Sequence, residues 1–404
     1  MKPLRVAFVV VRCGDEVIGG AESLCLQIAQ HLRDAVDVEI LTTCARDYRT
    51  WRNVYAPGHA WVGGVKVRRF PVDAPRDVAA FDRLSRRVAG DPASASVRAQ
   101  TRWMRAQGPV SSELLAYVRD YEALYDAFVF CGYLYATTAL ALPIVAHKAV
   151  LMPFAHDEWP IRLPLWDAIF ASARAVVSTT AQEAHFLHAR FPKLPVRQVT
   201  IAASMEPPAG RNPERFRDEY GVDQPFLLYL GRVDRSKGVD ELVDFFRRYR
   251  DAHPGRLKLV IAGSLHANML ADPDIVVTGP LSERAKWDAL QACELLVMPS
   301  EFESLSLVVL EAWASAKPVL VNARSAVLVG QCRRSGGGVW YASYAEFAAA
   351  LNLLDAGVRR QLGVQGQDHF YAAYNWDRAV VALVDLLSAL RQAQDERLDE
   401  PRAQ

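Results

Sequence analysis

The feature that most constrains this chain is an alternation. Short apolar runs of strand length are separated by amphipathic stretches of helix length, and the plan occurs twice. Arg5–Val11, Val38–Thr42, Val65–Phe70, Ala149–Pro153 and Ala175–Ser178 read as strands. Between the first two, Glu22–Leu32 sets Leu24, Ile28 and Leu32 on one helical face. Such units bury their apolar faces when the strands lie parallel in one sheet with helices on both sides. The pattern breaks at 203–224, where Pro207, Pro208, Gly210 and Pro213 stand among charged residues, and this reads as a linker. It then restarts with a strand at Phe226–Leu230, a helix at Val239–Tyr249, and strands at Leu257–Ala262 and Ile275–Val277. A helix through Trp287 follows, then a strand–helix–strand run of Leu295–Met298, Val308–Ala314 and Val319–Val321. The expectation is two doubly wound α/β domains facing a central cleft, the first over 1–205 and the second over 206–374. Ligands should meet the carboxyl ends of the strands. A chain of 404 residues is of ordinary length for two domains.

Composition narrows the function classes. The formal net charge is +1, so no whole-protein field exists to grip nucleic acid or an anionic membrane. Six cysteines are scattered without a C-x-x-C pair, which speaks against a zinc site or a disulfide framework and for a reduced, cytoplasmic setting. Met1–Val11 lacks a small-residue cleavage site and reads as a first strand, not a signal peptide. Ala127–Ala146 has no charged residue and is long enough to cross a bilayer. Gly132, Thr137, Thr138 and Pro143 interrupt it, so it reads as a buried strand at Phe128–Cys131, a turn and a buried helix. The segment 76–107 sets Arg83, Arg86, Arg87, Arg98, Arg102 and Arg105 among Phe81, Leu84, Val88, Trp103 and Met104. It reads as a solvated helical pair; the alternative is a peripheral membrane contact that docks an anionic or lipid-linked acceptor. The polar tail 393–404 is expected to be disordered.

Four constellations have chemical content. Gly231-Arg232-Val233-Asp234-Arg235-Ser236-Lys237-Gly238 joins a strand to a helix. A guanidinium and an ammonium held by one short loop suit a diphosphate, and a solvated basic loop is the other reading. Glu303 and Glu311 stand eight residues apart, about 2.2 turns. A helix starting near Leu305 would let both face a cleft and free the amides of Ser306 and Leu307 for phosphate; an ordinary helix glutamate is the bland reading of Glu311. Gly19-Gly20-Ala21-Glu22 opens the first helix and is either a ligand-approach turn or a merely flexible one. It is not G-x-G-x-x-G, so the dinucleotide fingerprint is missing. His156-Asp157-Glu158 follows a strand, where a histidine can meet a sugar hydroxyl or serve as a cap. His185 and His188 share a helix face but lack a third ligand, and read as surface residues.

Taken together, these segments resemble the family 4 retaining glycosyltransferases of the GT-B fold. The family pattern is a glycine-rich turn near the N-terminus, a histidine in the first domain, G-R-x-x-x-x-K-G, E-x7-E and a small-x-Pro turn. Here it reads Gly19-Gly20, His156, Gly231-Arg232 to Lys237-Gly238, Glu303 to Glu311, and Ala316-Lys317-Pro318. The resemblance implies a nucleotide-diphosphate-sugar donor in the second domain and a glycan, lipid-linked or other small acceptor on the first. It implies transfer with retention of configuration, without a metal or other cofactor. By the same resemblance, Arg232 and Lys237 neutralise the diphosphate, Glu311 holds the ribose and Glu303 meets the transferred sugar. Gly20, Gly231, Ser306 and Leu307 offer backbone to the phosphates, Thr278, Gly279 and Leu281 line the base, and His156 sits beside the anomeric carbon. A last helix over 375–392 crosses back to the first domain. Surface polysaccharide or glycoconjugate assembly, in the cytoplasm or at the inner face of the membrane, is the setting it implies. The chain departs from the family at Ser304 and Ser306, where glycines are frequent, and at Ala316. These departures keep two alternatives in view: a non-catalytic binding protein of the same fold, and a nucleotide-sugar epimerase.

Overall fold

A computed structural model describes residues 3–17, 19–202, 204–264 and 272–399. It divides into two compact units, one of 1–203 with 376–404 and the other of 204–375.

The first unit is built on eight strands: β1 (Arg5–Val9), β2 (Asp37–Thr43), β3 (Gly58–Val62), β4 (Val65–Phe70), β5 (Ala127–Cys131), β6 (Ala149–Met152), β7 (Ala175–Ser178) and β8 (Arg197–Thr200). Their order across the sheet is β3-β4-β2-β1-β5-β6-β7-β8. All neighbours are parallel except β3 and β4, which pair antiparallel. The helices are α1 (Gly20–Leu32), α2 (Val78–Ala89), α3 (Val97–Gln107), α4 (Ser112–Asp120), α5 (Ala136–Ala141), α6 (Leu165–Ser172) and α7 (Ala181–Arg190). The stretch weighed as a membrane span is β5, fully buried, then α5 and a 3-10 turn over Leu142–Lys148. Among the described residues no helix is long and apolar enough to cross a membrane. The core gathers Phe128, Phe130, Trp103, Trp166 and Phe170, each worth about 1.5–3 kcal/mol when removed from water.

The second unit opens with α8 (Pro213–Tyr220), whose first turn is capped by Asn212. Six strands follow: β9 (Phe226–Leu230), β10 (Lys258–Ala262), β11 (Ile275–Gly279), β12 (Leu295–Met298), β13 (Val319–Asn322) and β14 (Gly338–Tyr341). They form one parallel sheet in the order β11-β10-β9-β12-β13-β14. Its helices are α9 (Val239–Ala252), α10 (Glu283–Ala292), α11 (Leu307–Ala314), α12 (Ala326–Ser335), α13 (Tyr344–Leu353) and α14 (Ala356–Ala373). A final helix, α15 (Trp376–Asp399), packs on α1 and β8 of the first unit. It runs on through 393–399, where a disordered tail was expected. Gln, Ala, Glu and Arg there are good helix formers, and Gln392 Nε2 donates to Glu396 one turn on at 3.0 Å. The last residues, 400–404, lie outside the described set.

Strand order reverses at β1/β5 in one sheet and at β9/β12 in the other. In doubly wound sheets that reversal leaves a crevice at the carboxyl ends of the two strands. The loops after β9 and β12 hold Arg232, Lys237 and Glu303. The loops after β1, β5 and β6 hold Arg12, Gly20, Gly132 and His156.

Candidate functional site

In the second unit, the chain leaves β9 at Gly231 and turns through a short 3-10 helix, Arg235–Lys237. Asp234 organises the turn: its Oδ1 accepts from the Lys237 amide at 3.2 Å and from Ser236 Oγ at 2.5 Å. Tyr229 Oη donates to the Arg232 carbonyl at 2.6 Å, and the Arg232 guanidinium stands 3.6 Å from Asp234. Gly238 starts α9 with φ 72, and a Cβ there would lie 2.5 Å from the Pro299 carbonyl. That close approach of the two loops needs glycine. Across it, Lys237 Nζ donates to Glu303 Oε1 at 2.7 Å, with both side chains mostly buried. The two motif segments, 66 residues apart in sequence, are one ion pair.

Glu311 lies in the second turn of α11 and is buried. Its Oε1 accepts from Lys286 Nζ at 2.6 Å, and Lys286 also donates to Glu283 at 2.8 Å. The other carboxylate oxygen, Oε2, is buried and has no hydrogen-bond partner among the described residues. Burial pushes the Glu311 carboxyl up, with Lys286 opposing. Lys286 is itself raised because the two carboxylates outweigh its desolvation. Sequence reasoning passed over Lys286: nothing in a helix lysine announces a partner on another helix. Its one signal was position, four residues after the Ser282 that caps α10.

Between the glutamates, Ser306 caps α11 with φ 63 and ψ 85. Ala316, in the turn after the helix, has φ 54. Side-chain-bearing residues avoid this left-handed region at a cost of about 1–2 kcal/mol. Of the three places where the resembling family has glycine, Ser306 and Ala316 thus retain a glycine-like backbone while bearing side chains, and Ser304 does not. Ser306 Oγ is buried without a partner. Thr278 and Gly279 end β11, and Leu281 lies in the loop that enters α10.

In the first unit the glycine pair plays two different parts. A Cβ on Gly19 would collide with the Glu22 carboxylate, whereas Gly20 has open space around it. Glu22 is buried with Arg12, whose Nε donates to Glu22 Oε1 at 2.9 Å and whose Nη1 donates to the Arg46 carbonyl at 2.9 Å. Gly19 therefore makes room for an ion pair, where the sequence offered a ligand-approach turn or a merely flexible one. His156 Nε2 lies 3.4 Å from Glu158 Oε1, which accepts from Tyr133 Oη at 2.7 Å. The turn bearing His156 is pinned by Glu183, a fully buried residue of α7. Its carboxylate accepts from the Ala155 amide at 2.6 Å, the Thr179 amide at 2.7 Å and Thr179 Oγ1 at 2.9 Å. Burial raises the Glu183 carboxyl to about 7 against these donors. The visible sequence signal was Thr180-x-x-Glu183, a capping-box spacing. Thr180 does cap the helix, accepting from the Glu183 amide at 3.1 Å. His185 and His188 are exposed, and the six cysteines are free and buried.

Comparison with known proteins agrees with this geometry. Residues 211–360, which include both motif loops and both glutamates, match the family described as glycosyl transferases group 1. Over 98% of this chain and 93% of its own length, the D-inositol 3-phosphate glycosyltransferase of Acidothermus cellulolyticus is 26% identical. The likeness to the group 1 glycosyltransferases is thus carried by 211–360 of the second unit. D-inositol 3-phosphate glycosyltransferase 1 of Catenulispora acidiphila is 29% identical over 56% of this chain, a match that spans 59% of that relative. Among solved structures, sucrose-phosphate synthase from Thermosynechococcus elongatus superposes with a TM-score of 0.71 at 18% identity, covering 96% of this chain and 100% of that one. The Anabaena protein HepE, in complex with UDP and glucose, gives 0.68 at 14% identity over 96% and 100%. At such identities these structures speak to the fold, which is GT-B.

Proposed function

We propose that this glycosyltransferase moves a sugar from a nucleotide-diphosphate donor, held in the second unit, to a glycan, lipid-linked or other small acceptor met by the first. The observation that carries the reading is the pair of lysine-held glutamates flanking Ser306. Lys237 holds Glu303, and Lys286 holds Glu311 while one buried oxygen of Glu311 stays without a partner. A buried acceptor oxygen is costly when unsatisfied, and a ribose hydroxyl is a donor that would satisfy it. Glu303, at the switch point of the sheet, is placed to meet the transferred sugar.

The chemistry follows from charge. Breaking the sugar–phosphate bond leaves negative charge on the diphosphate. Arg232, Lys237 and the amides of Ser306 and Leu307 at the start of α11 are preorganised to stabilise it. Two side-chain cations at the leaving group take the part a metal ion plays elsewhere, and this is the basis for proposing metal-independent transfer. Lys237 must exchange some of its contact with Glu303 for phosphate, which frees a Glu303 oxygen for a sugar hydroxyl. Retention of configuration accords with a same-face transfer in which the leaving phosphate takes the acceptor proton. His156, steadied through Glu183 and Glu158, would touch the sugar beside its anomeric carbon. The Anabaena neighbour with UDP and glucose makes UDP the first nucleotide to try. Assembly of surface polysaccharide or glycoconjugate, in the cytoplasm or at the inner face of a membrane, is the setting proposed for it.

The test is turnover with UDP-glucose and a panel of sugar and glycolipid acceptors, with product configuration read by NMR. Acceptor-dependent transfer that retains configuration and withstands a chelator is the expected result. Epimerised nucleotide-sugar without acceptor, or an inverted product, overturns the reading.

A further inference from the structure

The first unit contains a pocket that none of the transfer motifs uses. It has a volume of about 330 Å³ and opens between α2, α3 and the chain after β6, on the same edge of the sheet as His156. Three aromatic side chains line it. Trp103 is buried, its Nε1 donates to Ser85 Oγ at 3.0 Å, and its ring lies 6.0 Å from Phe81 and 5.1 Å, edge-on, from Trp159. Trp159 comes three residues after His156. Asp82, Arg86 and Gln107 complete the polar part of the lining.

This wall has the chemistry of a sugar-ring site. The C–H faces of a pyranose pack on aromatic rings, while its hydroxyls need flat, multidentate partners of the carboxylate, amide and guanidinium type. The volume is at the small end of ligand pockets, enough for about one or two sugar rings. Charge adds a second requirement. Behind the wall, Arg76 lies over Trp51 at 4.8 Å and over Phe81 at 4.5 Å. It donates to the Gln107 carbonyl, to Gln107 Oε1 and to the Tyr48 carbonyl. All of these acceptors are neutral, so among the described residues a half-buried guanidinium has no carboxylate in contact. On the outer faces of α2 and α3, Arg83, Arg86, Arg87, Arg98, Arg102 and Arg105 are exposed, and among the described residues none forms an ion pair. Against them Asp82 is the acid in the lining. A site with this balance attracts an anion.

We infer that the pocket is an acceptor subsite for a sugar ring that bears a negative charge, as a sugar phosphate does. This rests on the transferase reading, since the donor nucleotide is assigned to the other unit. Trp159 gives the ring its apolar face, Gln107 and Asp82 meet hydroxyls, and Arg86 meets the charge, with Arg76 adding to the field from behind.

Calorimetric titration of the full chain with glucose 6-phosphate, glucose and inorganic phosphate tests it, with UDP-induced thermal stabilisation measured in parallel. Glucose 6-phosphate should bind at least tenfold tighter than either part alone. Trp159→Ala and Arg86→Ala should each weaken it tenfold or more, while Arg98→Ala, outside the lining, should not. An unchanged response to UDP shows that the variants are folded and their donor site intact. Because Arg86 is exposed on α2, its variant remains informative should Trp159→Ala misfold. Glucose 6-phosphate that binds no tighter than phosphate, or that ignores both variants, overturns the proposal. So does Arg86-dependent binding to phosphatidylglycerol vesicles without sugar-phosphate binding, which would make this face a membrane contact. Failure of wild type to respond to UDP, with sugar-phosphate binding intact, would sink the donor reading and leave the pocket standing.

Discussion

The two units are variations on one sheet plan that differ in how they partner their charged groups. In the second, charged groups at the switch point come as pairs within hydrogen-bond reach: Lys237 with Glu303, and Lys286 with Glu311. In the first, beside the buried Arg12–Glu22 pair, the buried Glu183 and the half-buried Arg76 have no oppositely charged side chain within hydrogen-bond reach among the described residues. Glu183 is surrounded by backbone and hydroxyl donors, and Arg76 by carbonyls and rings. Paired groups can exchange one partner for another, as a site for a charged donor requires. Isolated charges fixed by backbone are suited to shaping loops and setting a local field. The difference teaches that one sheet plan can present either exchangeable ion pairs or charges fixed by backbone, by choice of what faces each charge.

The comparison breaks most easily at Lys237. Lys237→Ala and Glu303→Ala should each lower the transfer rate on the order of a hundred- to a thousandfold, the usual loss when one preorganised group at a developing charge is removed. Circular dichroism should remain that of wild type, because both side chains lie at the sheet's edge and outside its core. A loss below threefold in both variants would show that the pairs are structural.

Glu183 sharpens the contrast from the other side. Its carboxyl is raised from 4.5 to about 7 by burial, so the folded chain holds a proton that the unfolded chain releases. Stability from this group is therefore complete below about pH 4.5 and falls as pH rises towards 7. At 1.36 kcal/mol per unit the span is on the order of 3 kcal/mol. Glu183→Gln cannot ionise, so the difference in melting temperature between wild type and variant should drift in that window and level off above it. A constant difference from pH 4.5 to 8 would mean that the donors around the carboxylate win and it stays ionised. In activity, the variant should lose its acid-to-neutral dependence more than its rate at a single pH, since Glu183 acts on His156 through the Ala155 amide.

A smaller effect is expected at Glu311. Glu311→Gln keeps the side-chain volume but gives up the ion pair with Lys286 and one charged acceptor. Nucleotide affinity should fall by roughly tenfold, the scale of one charge-assisted hydrogen bond, and calorimetry with the nucleoside diphosphate reads it directly. The smallest effect belongs to Ser306. Ser306→Gly relieves a left-handed serine at the expense of unfolded-chain entropy, so a gain of about 0.5–1 kcal/mol is expected. For a domain the size of the second unit that is on the order of 1–4 °C of melting temperature, with nucleotide binding retained. A lower melting temperature would show that the serine side chain makes up for its strain.

Much of this architecture was legible because its central strands are continuous apolar runs. The run AFVFC of β5 and the run FLLYL of β9 are buried at every position and have few other readings. The edges were harder to read. β3 carries an exposed Trp61, and β8, read RQVT, has no fully buried residue, so neither shows the pattern on which strand reading depends. In the site, G-R-x-x-x-x-K-G and E-x7-E stood out because loop and helix geometry fix local spacing. Lys286, Glu183 and Arg12 did not, because their roles come from partners on other elements. The Glu183 clasp on Ala155 spans 28 residues, and the local Thr180-x-x-Glu183 spacing announces a helix start, not that reach. Gly19 reads from sequence as either a ligand-approach turn or a flexible one, and its neighbour is the Arg12–Glu22 pair; a glycine announces missing volume without saying what fills it.

The most direct test of the central claim is thermal unfolding of the full chain with UDP, GDP, ADP or TDP, each with and without a chelator, in wild type and Lys237→Ala. A ligand at a hundred times its dissociation constant adds about 2.7 kcal/mol, or several degrees. We predict that one base stabilises the protein, that the chelator leaves the shift unchanged, and that Lys237→Ala loses most of it. Stabilisation that disappears with the chelator, or that is the same in Lys237→Ala as in wild type, would contradict a donor site built on paired lysines and glutamates.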